Sequence, residues 1–306
     1  MGKSKHAKKK NAWKKEIKAG DEFFVGPRET DIIIPIMGPT GSGKSTFINT
    51  LIGQVVASVG HDVESHTAHI QYFAFTHPNY PNRRIVVLDT PGFDDTNVDD
   101  HEILRRVAVW LARSYEDGMR LAGVIYLHEI TQARMLGTAR TNLDMFYKMC
   151  GKDAIKNVII ATTKWSDVPN EVGERREGQL QEEHMKFMLE LGSSMHRFDN
   201  TQRSARHIVN SILTKEAVDV IHIQRELVEI DNILAETDAG RTLRYTLQDL
   251  LDMQKSIATQ LRKEEKSPEL AHKLVENEEK IRSTLTQIKA LNIPLSRKIM
   301  RFLGLL

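Results

Sequence analysis

The sequence predicts an α/β fold, a mostly parallel sheet with helices on both faces, followed by an α-helical C-terminal extension. Three observations carry this. A short apolar, β-branched run over 31–37 passes through a glycine-rich loop into a helix-spaced segment over 45–52. Further apolar runs at 69–75, 84–89, 121–127 and 157–162 alternate with amphipathic stretches, which implies strands buried on both faces. From about residue 215 the strands stop, and apolar residues keep helical spacing amid charge.

The loop after the first strand sets the chemistry. Gly38, Pro39, Thr40, Gly41, Ser42, Gly43, Lys44, Ser45 and Thr46 fill every fixed position of G-x-x-x-x-G-K-[ST], with a strand before and a helix after. Glycines let the backbone amides approach phosphate oxygens, and the helix N-terminus aims partial positive charge at the same place. In this motif Lys44 reaches the β- and γ-phosphates and the Ser45 hydroxyl ligates Mg²⁺. A nucleoside polyphosphate is the ligand that this arrangement implies.

Composition narrows the setting. The 306 residues suffice for one large domain or two smaller ones, and a single cysteine, Cys150, excludes an intramolecular disulfide. No secretory signal and no bilayer-length apolar run is present, so a cytoplasmic protein, at most peripheral on a membrane, is expected. Net charge is only +2, yet the first eighteen residues hold eight lysines against Glu16. This block (1–25) reads as a disordered, solvated tail, with a nuclear signal or an acidic-lipid contact as alternatives. Met1-Gly2 lacks the Ser or Thr that myristoylation wants, since His6 stands there. Basic residues are not interleaved with aromatics in a patch, so no nucleic-acid partner is expected.

Residues 54–68 read as a polar loop where a nucleotide-sensing switch would sit, with Thr67 (Ser65 second) the candidate to close on Mg²⁺. The strands at 69–75 and 84–89 flank a turn over 77–82. The second ends in Asp89-Thr-Pro-Gly92: a Walker-B aspartate holding Mg²⁺ through water, then a glycine offering its N–H to the γ-phosphate. Beyond it come a helix over 97–117, a strand over 121–127, a helix over 139–150 and a strand over 157–162. A charged helix over 174–191, a short strand near 195–198 and a helix over 204–213 complete the alternation.

These pieces resemble a G-domain of the translation-factor-related P-loop GTPases. Asp89-Thr-Pro-Gly-Phe-Asp-Asp95, Ser65-His-Thr67 and Thr162-Thr-Lys-Trp165 are similar to the immune-associated (GIMAP/avrRpt2-induced) and septin-like GTPases. The whole of 31–213 looks closest to fungal members. The resemblance implies a P-loop NTPase G-domain over 26–213 that hydrolyses GTP to GDP with Mg²⁺. It also implies a homodimer through the nucleotide face, and it identifies His128-Glu-Ile-Thr-Gln-Ala-Arg-Met135 as a family-specific box.

Guanine is read by an Asp in [NT]-K-x-D, whose carboxylate accepts from N1–H and the 2-amino group. Here Thr163 and Lys164 fill the first positions, Ser166 stands where the acid belongs, and Asp167 comes one later. Either the loop shifts and Asp167 reads the base, or specificity is relaxed. Asn200, with Thr201, is expected near the guanine carbonyl. For catalysis the candidates are Lys44, Thr67, Gly92 and Arg134, with Arg105 or Arg106 as other fingers and His66 or His128 as water contacts. Phe93 occupies the place where Ras-like proteins carry a water-orienting Gln, so slow intrinsic hydrolysis, faster on dimerisation, is expected. A scaffold that binds nucleotide with little turnover is the alternative.

The extension, 214–306, holds three amphipathic stretches, the third opened by Ser267-Pro268. They predict a hairpin or coiled-coil arm, or helices folded back over the G-domain. The last stretch, 293–306, is basic and apolar, and either lies in a membrane interface or packs into the arm.

Overall fold

The computed structural model describes residues 22, 24–57, 69–78, 80–93, 100–132, 135, 137–215 and 221–224, then 251, 254, 255, 275, 277, 278, 281 and 282. Its centre is one sheet with strand order β2-β3-β1-β5-β6-β7, and β4 pairs with β1 beside β5. β1 (Ile32–Met37), β3 (Tyr80–Asp89), β5 (Val124–Glu129), β6 (Val158–Thr163) and β7 (Ser194–Arg197) run parallel, while β2 (Gln71–His77) is antiparallel to β3.

Side chains of the central strands alternate between two cores, as strand periodicity requires. Ile33, Val86, Leu88, Val124, Tyr126, Val158 and Ile160 face one core with α2 (Asp100–Glu116) and α3 (Gly137–Cys150). Ile34, Ile36, Ile85, Val87, Ile125, Leu127 and Ile159 face the other with α1 (Lys44–Ile52) and α6 (Gln202–Leu213). Covering both faces explains why these strands read as unbroken apolar runs.

Several boundaries differ from expectation, each for a local reason. The β2–β3 turn is tighter than 77–82, because β3 begins at Tyr80. Pro81 is tolerated there because β3 pairs with β1 only from Ile85 onward and is an edge before it. The strand expected over 121–127 is split into β4 (Arg120–Leu121) and β5. Between them Asn157 Nδ2 donates to the Ala122 carbonyl at 2.9 Å, and a Cβ on Gly123 would lie 2.2 Å from the Asn157 carbonyl oxygen.

The helix expected over 174–191 starts earlier and is broken into α4 (Asn170–Gln179), a π-turn (Leu180–His184) and α5 (Lys186–Glu190). Leu180 and Met185 are both buried, and five residues apart they would fall about 140° apart on an α-helix. The wider π-turn brings both inward. α6 starts at Gln202 because the Thr201 hydroxyl caps it, accepting from Ser204 N at 3.1 Å.

Most of the three expected C-terminal helices lies outside the described residues, as does the tail over 1–21. The part described folds back onto the α2–α3 core. α7 (His222–Gln224) follows Ile221, and Ile221, Ile223, Leu251 and Ile281 are buried with Trp110 and Phe146. Gln224 Nε2 donates to the Leu111 carbonyl at 2.8 Å. Among the described residues no helix is long and apolar enough to cross a membrane.

Candidate functional site

The carboxyl ends of β1, β3, β5 and β6 converge where an open α/β sheet binds its ligands. β1 leads into the glycine loop, and Gly38, Gly41 and Gly43 take φ of 142°, 78° and 92°, a region that favours glycine. At Gly38 a Cβ would also stand 2.3 Å from the Leu127 carbonyl oxygen, so β5 passes too close for any side chain. Gly43 precedes α1 with no side-chain cap, and no acid lies in the first turn. That end of α1 suits an anion. Lys44 is folded along the loop, its Nζ donating to the carbonyls of Gly38 at 3.2 Å and Pro39 at 2.9 Å.

β3 carries Asp89 to the same place. The Ser45 hydroxyl donates to Asp89 Oδ2 at 2.7 Å, while Asp89 Oδ1 is buried without a hydrogen-bond partner among the described residues. Burial pushes the Asp89 carboxyl above the ordinary carboxylate range, opposed by the Ser45 hydrogen bond and the Lys44 charge. A buried, unpartnered carboxylate oxygen next to a serine hydroxyl fits a hard divalent cation with oxygen ligands, so the donor set is right for Mg²⁺.

Gly92 and Phe93 lock onto the loop. Thr40 N donates to the Phe93 carbonyl at 2.7 Å, Phe93 N to the Gly38 carbonyl at 3.2 Å, and Thr40 Oγ1 to the Gly92 carbonyl at 3.2 Å. A Cβ on Gly92 would come within 2.5 Å of Thr40, so glycine is required there by the loop itself. The Phe93 ring is buried and serves the core.

β6 supplies the third wall. Thr163 Oγ1 donates to the Ser42 carbonyl at 2.8 Å and braces the glycine loop. Lys164, in left-handed backbone at φ 59°, sends its amine to within 4.0 Å of where a Gly41 Cβ would stand. Asp167 ends the 3₁₀ turn Trp165–Asp167, exposed, accepting from the Ser166 hydroxyl at 2.8 Å. Asn200 is exposed and also left-handed, at φ 59°, just before the Thr201 cap.

The remaining expected residues divide. Thr67, Ser65, His66 and Arg134 lie outside the described residues, and of the Arg105 side chain nothing is described. Arg106 is buried in α2, a position from which it cannot act as a finger across a dimer face. His128 is not with the phosphate loop either. It lines a cavity with Ile130, Gln132, Arg176, Leu180 and His184, on the sheet face shared by Val124 and Tyr126.

Burial brings the His128 pKa down to about 4, with Glu129 opposing and His184 assisting. The unfolded chain therefore binds more protons than the folded one between that value and the ordinary 6.5. Stability conferred by neutral His128 is complete above this window and is lost as pH falls through it, by up to about 3 kcal/mol. We expect denaturant midpoints to drop between pH 7 and 5, and to drop visibly less in His128→Asn; parallel pH profiles for the two proteins would contradict this.

Sequence reasoning did not single out Glu129, Trp165 or Arg197. Glu129 ends β5 and pairs with Lys164. Trp165 lies under the Arg197 guanidinium, 4.0 Å from the ring centroid, donates to Thr162 Oγ1 at 3.0 Å, and lies so close to Gly173 that a Cβ there would approach it to 2.7 Å. Arg197 is in turn held by Glu177. The signals for Glu129 were its place at the C-terminal end of an apolar strand and inside the box over 128–135, neither of which gave it a role; Trp165 and Arg197 meet only through the fold.

Residues 33–164 match the family model described as 50S ribosome-binding GTPase. Guanylate-binding protein 5 of Homo sapiens is 31% identical over 123 residues, 37% of this chain and 21% of that protein. Interferon-gamma-inducible GTPase 10 of Mus musculus is 37% identical over 81 residues, 24% of this chain and 18% of that protein. The chain thus covers only about a fifth of these curated relatives' length. A dimerization-deficient mutant of Toc33 from Arabidopsis thaliana shares the fold, with a TM-score of 0.51 at 15% identity over 62% of this chain and 88% of that one. The phosphate loop with its aspartate, set in this parallel sheet and matched over 33–164, gives that region the fold of a P-loop GTPase G-domain.

Proposed function

We propose that this chain binds Mg²⁺·GTP and GDP and hydrolyses GTP slowly, as a switch or assembly module that turns over faster when two copies pair. The observation that carries the reading is the Ser45–Asp89 pair, with its spare buried oxygen, behind an anion-ready helix end. Ser45 would hold Mg²⁺ directly and Asp89 through water, with Thr67 closing from the switch segment. The ion, when bound, neutralises charge on the β- and γ-phosphates.

The chain's own part is positioning. Amides of the loop over 38–46 cradle the phosphates, and the Lys44 ammonium turns from the loop carbonyls to the phosphate oxygens. The Gly92 N–H faces the γ-phosphate, and Arg134, from this chain or its pair, supplies charge to the transition state. Thr163, Lys164, Asp167 and Asn200 form the base side, with Asp167 reading guanine from one residue beyond the usual position. The closer likeness to the immune-associated and septin-like group is part of this reading, as are a cytoplasmic site and a peripheral membrane contact through the N-terminal lysines or residues 293–306. Pairing of two copies, in this reading through the nucleotide face, draws support from Toc33, of which a dimerization-deficient mutant exists.

A second reading, a nucleotide-dependent scaffold with little turnover, is favoured by one observation. Phe93 fills the water-orienting position with a buried ring whose backbone is tied to the phosphate loop.

Calorimetric titration with GDP, a non-hydrolysable GTP analogue and ADP, with sedimentation in each state, tests the proposal. Guanine binding preferred at least about tenfold over adenine is expected, the contribution of one well-made polar contact. Dimerisation in the triphosphate state is expected with it. Equal binding of ADP would sink the guanine reading, and single-turnover hydrolysis indistinguishable from buffer would favour the scaffold.

A further inference from the structure

We infer that Glu129 is a positioning residue for guanine-nucleotide binding, acting through Lys164; the inference rests on the nucleotide reading above. Three observations converge on it. Glu129 is the last residue of β5 and sits in register with Thr163, so the sheet fixes its backbone against the strand that delivers Lys164. Its carboxylate is mostly buried and held at both oxygens: Gln132 Nε2 donates to Oε1 at 2.9 Å, and Lys164 Nζ pairs with Oε2. The loop carrying Gln132 is itself clamped, because Arg176 donates to the carbonyls of Ile130 at 3.0 Å and Thr131 at 2.7 Å.

Lys164 needs such an anchor. It sits in left-handed backbone just beyond β6, and its side chain runs over the carboxyl ends of the strands toward Gly41 of the phosphate loop. A lysine stem has four rotatable bonds and a strongly hydrated head, so an unanchored one must be ordered at the moment of binding. With Glu129 holding the ammonium, the stem is already laid beside the phosphate loop where a base arrives. The anchor matters more here than in a chain with an ordinary base-reading acid, because Ser166 stands at the acid's place and Asp167 is exposed. The base side has fewer fixed contacts, and the Glu129 pair holds Lys164 in place.

The test is a double-mutant cycle on the full chain, read as GDP affinity by calorimetry at fixed Mg²⁺, with unfolding midpoints recorded for every variant. Glu129→Gln keeps the shape and an acceptor for Gln132, and it should weaken GDP about tenfold, the loss of one charge-assisted contact. Lys164→Met should weaken it by at least as much. The double variant should be no weaker than Lys164→Met within about twofold, since a residue acting only through Lys164 has nothing left to act on. Glu129→Asp, which keeps the charge but shortens the reach, should fall between wild type and Glu129→Gln. Additive losses, unchanged affinity in Glu129→Gln, or tighter binding on freeing Lys164 would each overturn the inference while leaving the nucleotide reading intact. Failure of the wild-type protein to bind GDP would overturn both.

Discussion

Asp89→Asn will stabilise the nucleotide-free protein and remove the Mg²⁺ dependence of nucleotide binding. Asp89 is fully buried at the end of β3, and burial is the largest influence on its carboxyl, pushing it above the ordinary range. The sign follows. An acid whose folded pKa is raised lends stability that is complete below its unfolded pKa and is lost as pH rises through the folded one. At neutral pH, above the unfolded pKa, the folded protein therefore carries the cost of this buried acid, and a neutral isostere relieves it. The Ser45 hydrogen bond survives, because the amide oxygen accepts as the carboxylate does.

We expect a gain of about 1 kcal/mol in the apo protein, the usual size when a functional strain is released. Against it stands a loss of about a hundredfold in GDP affinity with Mg²⁺ present, roughly 3 kcal/mol for a charge-assisted contact removed. Thermal unfolding without nucleotide, beside GDP titrations with and without Mg²⁺, measures both. A variant that still binds GDP more tightly when Mg²⁺ is added would show that Asp89 does not serve the ion.

Arg84→Met will cost about 3–5 kcal/mol of stability, the penalty for stranding a buried charge. Asp31, just before β1, is wholly buried, and Arg84 on β3 meets it with two parallel hydrogen bonds, Nε to Oδ1 at 2.8 Å and Nη2 to Oδ2 at 2.7 Å. Arg28 N adds a third donor at 2.8 Å. Deleting the guanidinium leaves the carboxylate with that amide alone from this group, and the loss is a large part of a typical domain's stability. The double variant Arg84→Met/Asp31→Asn should regain most of it, because no charge is then stranded. Since the pair sits at the end of β1 and β3 away from the phosphate loop, folded Arg84→Met should bind GDP within about twofold of wild type, as expected for uncoupled distant sites. Denaturant titration of both variants decides the matter, and a double variant no better than the single would contradict the stranded-charge account.

Much of the architecture was legible because its signals are local. Strands buried on both faces leave unbroken apolar runs, so β1, β3 and β6 were found to within a few residues. The phosphate loop was legible because its geometry is written in consecutive residues, with glycine wherever φ turns positive. Boundaries failed where a distant group intervened. The Asn157 side chain caps Ala122 and splits the strand expected over 121–127. Leu180 and Met185 had to face the same core, and the helix widened into a π-turn to let them.

The candidate site divides the same way. Lys44, Ser45 and Asp89 could be named from motif and strand end, since the local backbone dictates the position of each. His128 could not be assigned from spacing, because its sheet face is a matter of strand parity counted from a start that the sequence blurs; the fold put it in a cavity with His184 and Arg176. The Glu129–Lys164 contact joins residues 35 apart, Thr163–Ser42 residues 121 apart and Arg84–Asp31 residues 53 apart. Taken alone, then, the chain determined which segments of the described α/β region are strand or helix and where the phosphate loop sits, because hydrophobic period and glycine placement act over a few residues. Which side chains brace that cradle was decided only by strand order in the sheet, because a parallel sheet sets side by side residues that no local pattern relates.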